Sequence, residues 1–104
     1  PISALDAATG KTLYAFEKSR GTEEIVYHKG VLLAVVGNPR IFNDEAPKVF
    51  GYWELSVNRK PAVTKSIVAY DANTGRAMWK RTGDRLAYLA PLSLCALGDR
   101  AFYL

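Results

Sequence analysis

Apolar positions along the chain fall into short runs separated by turn residues. Four pairs of strands are predicted from these runs: Ile2 to Leu5 with Lys11 to Phe16, Glu24 to His28 with Val31 to Val36, Ser66 to Tyr70 with Arg76 to Arg81, and Leu92 to Ala96 with Ala101 to Leu104. Val31 to Val36 is the longest apolar run, and Gly37-Asn38-Pro39 breaks it. Lys29-Gly30 and Leu97-Gly98-Asp99 read as turns inside their pairs. No stretch of useful length shows helical periodicity. Leu86 to Leu97 is ambiguous, and Pro91 in its middle argues against a helix, because proline lacks the N–H and clashes with the preceding turn. The pattern predicts an all-β fold.

An internal repeat organises these pairs. Residues 4–14 and 69–79, at an offset of 65, share Ala4 with Ala69, Asp6 with Asp71, Ala7 with Ala72, Thr9 with Thr74 and Gly10 with Gly75. Lys11 and Arg76 match in charge, and Tyr14 and Trp79 are both large aromatics. These residue types suit a tight hairpin. An Asp side chain accepts backbone N–H groups two or three residues on, and a Thr hydroxyl adds a local contact. The glycine suits a position with φ > 0 that closes a bulged hairpin. On the strand that follows each turn, alternation places Thr12, Tyr14 and Phe16 on one face, and Ala77, Trp79 and Arg81 on one face.

The pattern Ala-x-Asp-x-x-Thr-Gly-x-x-x-Trp resembles the tryptophan-docking repeat of quinoprotein-like β-propellers, the PQQ-repeat family. Ala69, Asp71, Thr74, Gly75 and Trp79 match it in full; Ala4, Asp6, Thr9 and Gly10 match it, with Tyr14 in place of the Trp. With the flanking strand pairs, the resemblance covers nearly the whole chain. It implies a partial β-propeller built of four-stranded antiparallel blades, in which the motif joins the third and fourth strands and its aromatic packs on a neighbouring blade. On that reading residues 1–20 form the outer half of one blade, 21–81 a complete blade interrupted by an insertion at 37–65, and 82–104 the inner half of the next. Propellers have 4–8 blades, so the remaining blades are implied partners. Trp79 and Tyr14, each with roughly 150–250 Å² of buriable surface, are the expected anchors between blades. The chain opens at Pro1 without an initiator methionine and stops inside the apolar run Ala101 to Leu104. The expectation is a segment of a longer protein, so that a missing signal peptide carries no information about compartment.

Between Val36 and Ser66 run 29 residues, against a median connection of roughly 4–6. They hold three of the five prolines, the aromatics Phe42, Phe50, Tyr52 and Trp53, and basic residues including Arg59, Lys60 and Lys65. A long aromatic-rich connection on one face of a scaffold is a candidate binding element for a protein or small molecule; the alternative is a decorative loop packed onto the blade. Phe50 to Val57 is compatible with an extra strand or hairpin arm.

Composition narrows the chemistry. The chain of 104 residues is 49% hydrophobic and 23% charged, with a formal net charge of +4, an ordinary globular balance that argues against disorder. The longest apolar run is far short of the roughly 20 residues of a spanning helix, so no membrane span is expected. The net charge is small and the basic residues are scattered, which gives nucleic-acid binding little support. A single cysteine and a single histidine exclude an internal disulfide and multi-thiolate or multi-histidine metal sites within the chain. There is no phosphate loop and no nucleophile elbow. His28 reads as a turn residue at a strand end, Cys95 as a buried core thiol, and Glu23-Glu24 as a pair at a strand start on the solvent side. Asp44-Glu45 alone is weak evidence for calcium.

No catalytic residue and no metal ligand is assigned. Whether the parent protein is an enzyme stays open, because a repeat is a folding motif first and does not by itself license a redox activity. The resemblance implies two alternatives. One is a scaffold or binding module without a cofactor in this segment, in a bacterial protein that is periplasmic, envelope-associated or secreted. The other is part of a quinoprotein dehydrogenase that binds pyrroloquinoline quinone (PQQ) with calcium at residues outside the segment.

Overall fold

The computed structural model describes residues 1–37, 65–83, 85, 86, 89 and 92–104. The insertion aromatics Phe42, Phe50, Tyr52 and Trp53, together with Arg59, Asp44-Glu45, the 50–57 arm and Pro91, lie outside the described residues.

The described residues form an all-β fold of antiparallel sheets. Its strands are β1 (Ser3–Leu5), β2 (Thr12–Ala15), β3 (Thr22–His28), β4 (Val31–Val36), β5 (Ser66–Asp71), β6 (Ala77–Thr82), β7 (Cys95–Leu97) and β8 (Arg100–Phe102). β1 and β2 make one hairpin, β3-β4-β5-β6 a four-stranded sheet in chain order, and β7 and β8 a second hairpin. Each turn follows its sequence. Lys29 (φ 47°) and Gly30 (φ 80°) both sit in the left-handed region, as a two-residue turn of the primed type requires. In the β7–β8 turn Gly98 alone carries the positive angle, φ 62°.

The central strands β4 and β5 explain why the sequence there reads as unbroken apolar runs. Successive side chains point to opposite faces, and both faces are covered. Leu33, Val35, Ile67 and Ala69 pack on one side with Leu86, Leu89 and Leu94. Leu32, Ala34, Val68 and Tyr70 pack on the other with Phe16, against Ile2, Ala4 and Tyr14. The sheet is therefore the middle layer of three, with the β1–β2 hairpin on one face and the β7–β8 hairpin on the other. Ser19 ties the first layer in place. It is buried, accepts the Ile2 N–H at 2.8 Å and donates to the Phe16 carbonyl at 2.9 Å.

Three expectations are corrected. The final strand pair is shorter than predicted. Leu92 has φ 57° and cannot continue a strand, so β7 begins only at Cys95. Cys95 is exposed rather than buried, because alternation sends its neighbours Leu94 and Ala96 inward onto the sheet. The Glu23-Glu24 pair lies inside β3, at its bulge opposite Val35 and Val36. Glu23 pairs with Lys65 at 2.8 Å, and half-buried Glu24 accepts the Leu94 N–H at 3.1 Å. Trp79, an expected anchor between blades, is 46% exposed; the described residues over its side of the sheet are Leu86, Leu89, Leu94 and the short β7–β8 hairpin.

Candidate functional site

The two copies of the repeat fold into closely similar turns that share most of their hydrogen bonds. Asp6 N–H donates to the Lys11 carbonyl at 2.8 Å and Gly10 N–H to the Asp6 carbonyl at 2.8 Å; Asp71 and Gly75 make the corresponding bonds at 2.9 and 2.8 Å. Asp6 Oδ1 accepts from Ala8 N–H and Thr9 N–H, and Asp71 Oδ1 accepts from Asn73 N–H. Each Thr hydroxyl accepts the N–H two residues on, from Lys11 and from Arg76, at 3.3 Å. Each hairpin carries a bulge at the equivalent place, between Ala4 and Leu5 and between Ala69 and Tyr70. The glycines hold φ 72° and 77°, where an L side chain is strained. Thr9 hydroxyl, Thr9 N–H and Ala8 N–H, in that order, stabilise the ionised Asp6 and hold its carboxyl below the ordinary value of 3.8.

What differs is the use each turn is put to. Space around Gly10 is open. Gly75 is the seat on which the first layer rests. A Cβ built there would stand 2.6 Å from the Ala15 carbonyl oxygen and 3.2 Å from the Tyr14 ring. Around that close approach three hydrogen bonds join the layers. The Tyr14 hydroxyl donates to the Ala72 carbonyl at 2.5 Å, Glu17 N–H donates to the Gly75 carbonyl at 3.0 Å, and the Glu17 carboxylate accepts Ala77 N–H at 3.1 Å. Ala72 N–H in turn donates to the Gly30 carbonyl at 2.9 Å, which locks the turn to the sheet's inner strands. The Tyr14 ring lies 5.8 Å from Phe16, and Phe16 meets Tyr70 edge-on at 5.5 Å. The Tyr70 hydroxyl is buried without a hydrogen-bond partner among the described residues, and burial, then the Glu17 carboxylate, push the phenol above its ordinary value of 10.0.

The motif residues Gly75 and Tyr14 are thus brought together, although they lie 61 positions apart in the sequence. Ala4, Asp6, Thr9, Gly10, Ala69 and Thr74 build the two turns and their strands. Trp79, the counterpart of Tyr14, faces the same way along the stack, toward the third layer. It lies opposite Ala69 in the ladder and lines a shallow groove with Ile67, Arg81, Ala101 and Tyr103. Sequence reasoning had no signal for Glu17 or Ser19, which are polar loop residues outside any motif. His28 is held at its turn, where Nε2 donates to the Gly98 carbonyl at 2.8 Å.

Each of five described carboxylates is engaged within the fold. Asp6 and Asp71 are engaged by their own turns, Glu17 by Ala77, Glu23 by Lys65 and Glu24 by Leu94. Among the described residues no three His, Cys, Asp or Glu side chains cluster, and no helix is long and apolar enough to cross a membrane. No family model, curated protein or solved structure matches the chain.

Proposed function

We propose that this chain is a run of β-propeller blades of the PQQ-repeat kind, serving as a structural scaffold or binding module of a bacterial envelope or secreted protein, without catalysis in this segment. The observation that carries the reading is the seating of Tyr14 on the Gly75 turn. The aromatic of one repeat closes on the glycine turn of the next, so the repeated motif acts as a coupling between layers. Two similar turns, each followed by an aromatic at the same spacing, supply a plug and a seat in every repeat. Such coupling lets sheets that cannot bury both faces alone share a continuous core.

Native-state hydrogen exchange tests the coupling. The amides of Glu17 and Ala77, which bond across the seam, should exchange as slowly as those of β4 and β5. Fast exchange at both, with slow exchange in the central strands, means that the first layer opens independently and defeats the stacked reading. Titration of the chain with pyrroloquinoline quinone and calcium tests the absence of cofactor chemistry here. Tight stoichiometric binding overturns that part.

A further inference from the structure

We infer that Glu23, Gly37 and Lys65 form a latch at the neck of the 38–64 connection. The latch holds the two ends of the connection together, so the four-stranded sheet carries it on a closed base and folds without it. The inference goes beyond the stacked reading and does not depend on it, because every group in the latch belongs to the middle sheet and its flanks.

The ladder sets the neck. β4 and β5 are antiparallel neighbours, and their last pair is Val36 with Ser66. Gly37 and Lys65 are the first residues beyond that pair, one on each strand. Holding the ends of a long connection at this spacing costs entropy, and the cost grows slowly with length. Without an extra tie, the last ladder pairs are the first to open. β3 supplies the tie. Opposite the neck it carries a bulge: Thr22 pairs with Val36 and Glu24 with Val35, so Glu23 is the residue without a place in the ladder. A bulge re-aims the side chain of its extra residue. Glu24 returns to the ladder and serves the third layer through the Leu94 N–H. Glu23 reaches past the end of β4 to the neck.

Three contacts close the latch. Glu23 Oε2 meets Lys65 Nζ at 2.8 Å, with the two side chains only 32% and 16% exposed. Glu23 Oε1 lies against Gly37, in the space that a Cβ there would fill, and such a Cβ would also stand 3.2 Å from Glu23 Cδ. Gly37 N–H donates to the Gly21 carbonyl at 2.9 Å. Gly37 is buried and its φ is not positive. Room for the carboxylate, rather than backbone conformation, therefore calls for glycine at this position. Each carboxylate oxygen touches one end of the connection. The tie comes from a third strand, so it does not depend on what the connection contains.

Native-state hydrogen exchange of the full chain reads the latch at the Gly37 amide. Neither Glu23 nor Lys65 adjoins Gly37 in sequence, so substituting them leaves the intrinsic exchange rate of that amide unchanged. Glu23→Ala and Lys65→Met should each speed its exchange about threefold or more, while the amides of Ala34 and Val68 in the central strands keep their rates. A second chain, in which 38–64 is replaced by Asn-Gly, separates a latch from ordinary packing. A two-residue turn of this type holds residues 37 and 65 opposite each other by itself. That chain should fold to the same sheet, and Glu23→Ala in it should change Gly37 exchange less than about twofold. Unchanged exchange at Gly37 in the full chain overturns the inference. Acceleration that extends to Ala34 and Val68 is loss of the whole sheet and overturns it as well. Equal acceleration in both chains shows that Glu23 only packs on the glycine, and a shortened chain that does not fold shows that the sheet needs the connection; either result overturns it too. None of these outcomes bears on the stacked reading, which is read at Glu17 and Ala77.

Discussion

Gly10 and Gly75 share a backbone conformation and differ in surroundings, so substituting alanine at each separates the cost of the turn from the cost of the seat. At Gly10 the added methyl meets open space, and only the left-handed φ is penalised, by about 1–2 kcal/mol. At Gly75 the same penalty applies, and the methyl also stands 2.6 Å from the Ala15 carbonyl oxygen. A backbone atom cannot rotate away, so relief requires the first layer to lift. Lifting stretches the Tyr14–Ala72 and Glu17–Gly75 hydrogen bonds, each contributing about 0.5–1.5 kcal/mol, and loosens packing around Phe16. Overpacking of this kind costs about 1–3 kcal/mol. The expected loss is about 2–5 kcal/mol for Gly75→Ala against about 1–2 kcal/mol for Gly10→Ala. Gly83→Ala, at a site with no positive φ and no near neighbour, should be close to neutral. Urea unfolding followed by far-ultraviolet circular dichroism, at a protein concentration where mass is constant, measures all three. Adding Tyr14→Phe completes a double-mutant cycle, in which the tyrosine should matter less once alanine occupies position 75. Equal losses at positions 10 and 75 would refute the seat.

Three further outcomes are expected. Tyr70→Phe removes a buried hydroxyl that has no partner among the described residues, and should raise stability by about 1 kcal/mol or more; a loss of that size would reveal a partner for the hydroxyl. Because the folded phenol is raised above 10.0, the unfolded chain ionises first, so the parent should lose stability as pH rises past that value and Tyr70→Phe should lose less. Asp6 has a lowered folded pKa, so the stability it contributes is present above 3.8 and is lost as pH falls through the folded value. Asp6→Asn should therefore approach the parent's stability in acid, and a gap that stays constant between neutral pH and strong acid would count against the carboxylate's role. Ser19→Ala leaves the Ile2 N–H and the Phe16 carbonyl without their shared hydroxyl, a loss of about 1–3 kcal/mol in thermal or urea unfolding; an unchanged midpoint would show that water replaces it.

Much of the local structure was legible before any coordinates. The Lys29-Gly30 turn, the Asp-x-x-Thr-Gly turns and the apolar strands β4 and β5 follow from rules that act within a few residues. These are left-handed φ at glycine, side-chain oxygens that cap nearby N–H groups, and β-branched residues on a pleated surface. The ambiguous stretch after Gly83 was not legible, because its leucines are placed by the sheet they cover. Leu86 and Leu89 reach the core through two successive tight turns, with N–H bonds to the Gly83 and Leu86 carbonyls at 3.0 and 3.1 Å.

The same division holds at the seam. The sequence alone determined that the turn is used twice and that an aromatic follows it each time. It carried no information on which aromatic would find a seat. Tyr14 and Trp79 occupy equivalent positions after similar turns, yet one is bonded to Ala72 and the other is 46% exposed. Tertiary structure made that choice, because coverage depends on which layer lies in front of each side chain. Glu17, Ser19 and the buried Tyr70 hydroxyl belong to the same class. Their partners lie on other layers or across the link between β2 and β3, and only stacking brings those groups within hydrogen-bonding distance or seals them from water.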